Sequence, residues 1–366
     1  MSTGHTLTDG GGTGLATRMP GVSSAVAATQ DPNETVVLDH GTGAKLSREL
    51  VERISETLGD VYLGAMEDSA LLELPGNRIA FTTDSFVVTP IIFGNGDIGK
   101  IAVCGTVNDL AVSGARPLYL TLSLIIEAGM PIAELLTIIA SVRDTARAAG
   151  IKIVAGDTKV VRKGDADRLF INTAGVGVLE RPPVSIQNVR PGQKIILSGY
   201  IGNHSIHLLS IREGLGFERN VLSDCAPLNH MVDAVLRGVP AGKVASLRDV
   251  TRGGLCAVLH EHARAANCAI RFERNALPIL PAVAMAADML GIDVIHLANE
   301  GCLCLFVEPD VADDVLAILR EDSAGREAAI IGEVEAASGA EVRLVEADGT
   351  QITLEELHGA ELPRLC

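Results

Sequence analysis

The stretch RPPVSIQNVRPGQ, residues 181–193, packs three prolines into a short span. Each proline fixes φ and removes a backbone donor, so neither a helix interior nor a central strand can run through it. It therefore splits the chain. On either side, strand-like and helix-like segments alternate. Before it, RIAFTTDSFVVTPIIF, PLYLTLSLIIEAG, IKIVAGDTKVV and RLFINTAGVGVLE read as strands, and DIGKIAVCGTVNDLAVSGA and PIAELLTIIASVRDTARAAG as helices, the second closed by Gly150. TVVLDHGTGAKLSRELVERISETLG reads as a short strand, a glycine turn and an amphipathic helix. After the break, KIILSGYIG and GCLCLFVEP read as strands, and HSIHLLSIREGLG and GLCAVLHEHARAAN as helices. The expectation is two α/β halves, with residues 36–180 and 190–345 as domains, a flexible tail over 1–35 and a second tail over 346–366. A length of 366 residues agrees with about two domains.

Aromatic residues make up only 3% of the chain and Trp is absent, so the core must be built from Ala, Val, Ile and Leu. The formal net charge of −16 argues against a nucleic-acid or anionic-membrane surface, which needs clustered Lys and Arg. No apolar run approaches the roughly 18 residues that suggest a membrane span, and the start lacks the pattern of a secretory signal, so the cytoplasm is the expected location. Seven cysteines, an odd number in a large chain, do not suggest a disulfide framework. Cys302 and Cys304 form C-x-C in an apolar run and read as two core residues on one side of a strand; a metal pair is the alternative.

Residues 94–101, GNGDIGKI, imitate two motifs. The spacing fits the start of a P-loop, but Ile101 stands where a Ser or Thr hydroxyl would bind Mg²⁺. It also fits G-x-G-x-x-G between a strand and a helix, the context of a dinucleotide site. The polar pair Asn108 and Asp109 inside the following helix is foreign to a plain Rossmann helix, so a glycine turn with another purpose is expected.

Five aspartates interrupt or end apolar runs: Asp68, Asp84, Asp109, Asp157 and Asp249. Any one of them reads as an N-cap or turn residue. Together they supply the oxygen ligands that Mg²⁺ takes beside phosphates, at the strand ends where α/β sheets bind ligands. In DVTRGG, Thr251 offers a hydroxyl, Arg252 a fork matched to phosphate, and Gly253 close approach before a helix. HGTG, with Gly41 and Gly43, is a second glycine turn ahead of a helix. The chain closes on ELPRLC, where Cys366 is a thiol with nothing beyond it, able to enter a narrow channel as an internal cysteine cannot.

The ordered set TDSFVVTPIIFGNGDIGKIAVCGTVNDLAVSGARPLYL, GDTKVVRKGDADRLFINTAGVG, SDCAPLN, RDVTRGGLCAVLHEHA, ANEG and PRLC resembles the HypE family of hydrogenase-maturation carbamoyl dehydratases. The resemblance runs from about residue 36 to Cys366. GTVNDLAVSGA and DVTRGG alone would indicate the wider superfamily of aminoimidazole ribonucleotide synthetase, selenophosphate synthetase and thiamine-monophosphate kinase. PRLC sets HypE apart.

The resemblance implies a PurM-like α/β (α+β) fold of two domains, with the first domains pairing their sheets across a homodimer and ATP with Mg²⁺ between subunit and domain surfaces. It implies that a carbamoyltransferase, HypF, loads Cys366, that ATP-dependent dehydration turns the thiocarboxamide into a thiocyanate, and that the cyano group passes to iron on a HypC–HypD complex. Position by position, Cys366 matches the carrier, Lys159 a lysine near the reacting group, and Glu300 an acid beside it for proton transfer. Asp84, Asp109, Asp157 and Asp249, with Asp68, match the nucleotide–metal region. Asn108, Thr158, Thr251, Arg252, Gly253, Gly41 and Gly43 join them at the nucleotide. The chain departs from the family at Asn95, where Gly is common, and at Cys302, where Lys is common, which marks Cys302 as a possible site of stray modification. A small-molecule kinase or synthetase of the same superfamily and a non-catalytic assembly module are the competing readings.

Overall fold

The computed structural model describes Met1 and residues 34–41, 45–63, 74–76 and 78–356. The first half runs α1 (Lys45–Leu58), β1 (Ile79–Phe86), β2 (Ile92–Phe93), β3 (Gly96–Asp97), α2 (Ile98–Val112), β4 (Arg116–Glu127), α3 (Ile132–Ala149), β5 (Lys152–Val161) and β6 (Leu169–Val178). The second runs β7 (Lys194–Leu197), α4 (Asn203–Glu213), α5 (Asn229–Gly238), β8 (Val244–Asp249), α6 (Gly254–Ala266), β9 (Ala269–Glu273), α7 (Pro281–Leu290), β10 (Leu303–Val307), α8 (Ala312–Glu321), β11 (Ala329–Glu335), β12 (Glu341–Val345) and β13 (Gln351–Thr353).

In the first half four strands form a sheet in the order β1-β6-β4-β5, parallel only between β4 and β5, which α3 connects. One face of this sheet is covered. Leu120, Leu122, Leu124 and Ile126 alternate inward along β4 and are buried with α2 and α3 in one core. The other face is open, and Phe81 on β1 is 67% exposed there. The second half is a seven-stranded mixed sheet in the order β13-β12-β9-β11-β7-β10-β8. Its two faces carry separate cores, one with Phe272 and Phe306 and one with Leu303, Leu305 and Val315.

Helix α2 positions everything that follows. Apolar residues lie on every side of it because nearly all of it is buried, against the first sheet, α3, α5 and β8. Asp97 caps its start by accepting from Lys100 N at 2.9 Å. A Cβ at Gly99 would lie 2.7 Å from Ile138 O, so glycine is what lets α2 approach α3. The glycines of GNGDIGKI thus serve a turn and a helix–helix contact.

Two sequence expectations change. The strand expected at TVVL is a single bridge, Thr35 to Pro131, followed by a short turn of 3-10 helix over Leu38–Gly41. The arm expected from residue 346 begins with an ordered hairpin. Glu346 N donates to Thr350 O at 2.8 Å across the Asp348–Gly349 turn, and β13 pairs with β12.

Candidate active site

Strand β1 alternates between the two faces of its sheet, which sends Thr82 and Asp84 toward α2. Asp109, on α2, accepts from Thr82 Oγ1 at 3.1 Å through Oδ2. Asp249 ends β8 across the domain junction, followed by the turn of Thr251 and Arg252 into α6. Gly253 caps that helix at φ 76°, where any side chain would be strained. Asp84, Asp109, Arg248, Asp249, Thr251, Arg252 and Glu300 line one cavity of about 480 Å³.

The cavity is electrically loaded. Burial, then the Asp249 carboxylate and to a lesser extent that of Asp84, push Asp109 up to about 6. Burial also raises Asp249, against the pull of Arg248. Glu300 lies at the buried end and is raised well above the ordinary carboxyl value, first by burial and then by Asp224, Asp249, Cys104 and Asp84. Burial and these neighbouring negative groups thus favour its protonated form.

A cation would relieve this repulsion, and the donors are the hard oxygens that Mg²⁺ prefers. Among the described residues, however, no three His, Cys, Asp or Glu side chains converge closely enough to hold a metal ion by themselves. The fit is to an ion bound by one or two carboxylates and completed by phosphate oxygens and water, the usual protein site for Mg²⁺.

The remaining sequence candidates fall elsewhere. Asp157 and Lys159 lie on the open face of edge strand β5, in register with Ser123 and Ile125, and pair with each other at 2.9 Å. That contact holds Asp157 below its ordinary value. Thr158 lies between them, and the Leu38–Gly41 turn packs beside β5. These residues form a second group, on the opposite edge of the sheet from β1. Asn108 does not face the cavity: its amide donates to Ala226 O at 3.1 Å and accepts from Leu228 N at 2.8 Å, tying α2 to the second half. Gly43, Asp68 and Cys366 lie outside the described residues.

Cys302 is no site of stray modification. It is buried with its thiol near Gly199 O, and burial pushes it up to about 12, so it has no reactive thiolate at neutral pH. Cys302 and Cys304 share one core cluster.

Sequence reading missed Thr82, Arg248 and Asp224. The period-2 spacing from Asp84 could have found Thr82. Asp224 stands in an irregular loop, where no periodicity marks it.

Comparison with known proteins agrees with this architecture. Residues 66–179 match the family model of the AIR synthase related protein N-terminal domain, and residues 190–345 that of the C-terminal domain. Fold and site therefore define a two-domain AIR synthase related protein with a PurM-like fold. Within that class the carbamoyl dehydratase HypE of Escherichia coli K12 is 43% identical over 341 residues, covering 90% of this chain and 99% of the relative. A crystal structure of the hydrogenase maturation protein HypE in complex with ATP superposes with a TM-score of 0.86 at 40% identity, covering 90% and 99% of the two chains. HypE in a HypE–HypF complex gives 0.74 at 43% identity, covering 84% and 99%. The chain belongs to the HypE carbamoyl dehydratase family of hydrogenase maturation enzymes.

Proposed function

We propose that this enzyme uses ATP and Mg²⁺ to dehydrate a carbamoyl group carried on its own Cys366, giving a protein-bound thiocyanate. The observation that carries this reading is a buried Glu300 lining the same cavity as the mutually repelling carboxylates Asp84, Asp109 and Asp249. A nucleotide–metal site and a proton-transfer group thereby share one enclosure.

The chemistry needs both. An amide oxygen is a poor leaving group, so it must first take the γ-phosphoryl group of ATP, releasing ADP. The C–O bond then breaks, phosphate leaves, and the nitrogen has lost both protons to give C≡N. One or two of Asp84, Asp109 and Asp249 would hold each Mg²⁺, which when bound neutralises phosphate charge. Thr251 and Arg252 contact phosphate oxygens. Glu300 relays the protons that the nitrogen sheds: one carboxyl oxygen accepts a proton as the other passes its own to the departing phosphate. Enclosure keeps the phosphorylated intermediate from water.

Delivery of the thiol is geometrically open. Glu356 is held by Arg264 near the end of α6, with one oxygen 3.0 Å from Nη2. The N-terminal end of α6, beside Thr251, lies about 15 Å back along the axis. The ten residues from there to Cys366 can span up to about 35 Å.

Asp157 and Lys159 reach a cavity if the open sheet faces of two copies pair; Thr158 between them is in register with the inward Leu124 and faces the other way. Ile79, Phe81 and Ile125 make that face apolar, so a homodimer is the expected state. In it, Lys159 of one copy serves near the reacting group of the other, and the Gly41 turn accompanies it. A relative forms a complex with HypF, which supports HypF as the carbamoyl donor's enzyme here; HypC–HypD would accept the cyano group. Among the described residues no helix is long and apolar enough to cross a membrane. ATP supply and thiol chemistry fit the cytoplasm.

The test is the intact mass of the Cys366 peptide after incubation with HypF, carbamoyl phosphate and ATP. Wild type should gain one carbamoyl group and then lose one water. Asp109→Ala should keep the carbamoyl group. A Cys366 left unmodified by demonstrably active HypF overturns the reading in favour of a small-molecule kinase or synthetase.

A further inference from the structure

Glu300 sits in a loop, and a loop does not aim a side chain without support. Its backbone is clamped from two sides. On one side Asn299, fully buried, accepts from Gly202 N at 2.7 Å and donates to Val250 O at 2.9 Å and Leu297 O at 3.0 Å. On the other stands Asp224. Its Oδ1 accepts from Glu300 N at 3.0 Å and its Oδ2 from Gly301 N at 3.0 Å.

We propose that Asp224 is the positioning residue for Glu300: its carboxylate grips two successive backbone N–H groups and so aims the Glu300 carboxyl into the cavity. The inference rests on the role given to Glu300 above.

Three observations favour positioning over an ordinary loop cap. First, the residue is half-buried, which costs its carboxylate hydration that two N–H donors only partly offset; desolvation still pushes it up to about 6. Only a carboxylate offers an acceptor oxygen to each N–H; an asparagine would turn its own NH₂ toward one of them. Second, the approach is as close as backbones allow. A Cβ on Gly301 would fall 1.9 Å from Asp224 O, so the residue after Glu300 has no room for a side chain.

Third, the Asp224 loop is itself fastened to the first half of the chain. Asn95 Nδ2 donates to Ser223 O at 2.8 Å, and its Oδ1 accepts from Ser223 N at 3.1 Å. Asn108 grips Ala226 and Leu228 farther along. Asn95, the departure from the family's usual glycine, thus holds the loop that holds Glu300. The aim of the acid depends on contacts from both halves of the chain, which meet at this cavity.

The test is a double-mutant cycle in the full-length enzyme loaded with the carbamoyl group on Cys366. Asp224→Asn, which is isosteric, should lower kcat for dehydration about 10- to 100-fold while KM for ATP stays within about twofold. In a Glu300→Gln background it should lower kcat no further, because Asp224 acts only through Glu300. Additive losses in the cycle, or a loss confined to KM for ATP, would overturn the proposal. Should Asp224→Asn fail to fold, Asn95→Gly, which frees the Asp224 loop by removing both bonds to Ser223, must show the same non-additivity with Glu300→Gln. A wild type that hydrolyses ATP but never dehydrates its carbamoyl group would overturn the role of Glu300 itself, and is distinguishable because no variant is needed to see it.

Discussion

The cavity beside α2 and the open face of β5 hold the same residue type in opposite electrical states. In the cavity, burial and neighbouring carboxylates push Asp109 up to about 6 and raise Asp249. On β5, Lys159 at 2.9 Å holds Asp157 below its ordinary value. The first set stores repulsion that a cation or a proton relieves. The second is already neutralised and exposed. Burial rather than residue type decides which aspartate is primed for a metal. The β5 set also lies on the edge of the first sheet opposite β1, the strand that carries the cavity's Asp84, so within a single chain the two sets do not form one site. A second copy is what can bring them together.

Complementation gives the harshest test of that division. Asp109→Ala and Asp157→Ala should each cut ATP-dependent dehydration at least about a hundredfold. If each cavity borrows its β5 group from the partner, co-expressing the two variants rebuilds one intact site in every mixed dimer. Mixed dimers are half the population and hold one working site of two, so about a quarter of wild-type activity should return. No recovery in purified mixed dimers would break the comparison and put both groups in one chain's site.

Much of this was legible in the sequence. The proline stretch parted the two sheets, and the β-branched runs gave most of the strands. Asp84, Asp109, Asp249, Thr251 and Arg252 stood out as polar residues in apolar or glycine-rich settings, Glu300 only through the family resemblance, and the structure brings all six to one cavity. The separation of Asp157 from that group was hidden, because an aspartate at a strand end looks alike on either face until register is known. Register placed it opposite Ser123 on the open side. The tie made by Asn108 was hidden too, since its partners, Ala226 and Leu228, lie more than a hundred residues away. The β13 hairpin has a readable signal in Asp348–Gly349, which outweighs the polar, tail-like composition around it.

Stability sharpens the comparison with smaller effects. Asp109 has a folded value above its unfolded one, so its contribution to stability is present below about 3.8 and is lost as pH rises through about 6. Without nucleotide, Asp109→Asn should therefore stabilise the protein above pH 6 by roughly 1–3 kcal/mol and flatten the melting temperature between pH 4 and 7. Thermal melts across that range check it; a destabilised Asn variant at pH 7.5 would show that the repulsion is already relieved.

Asp157→Asn should do the reverse and do less. Its folded value lies below the ordinary 3.8, so the pair with Lys159 adds stability above the unfolded value and loses it as pH falls through the folded one. Both side chains are more than half exposed, at 57% and 65%, so water and salt screen the contact. The variant should cost only a few tenths of a kcal/mol at pH 7, less still in high salt, and nothing at pH 3. The same melts measure it, now with monomer and dimer separated by dilution. If the cost grows well beyond that in the dimer alone, Asp157 is buried by the partner, and the open face of β5 is a site wall only in the assembled enzyme.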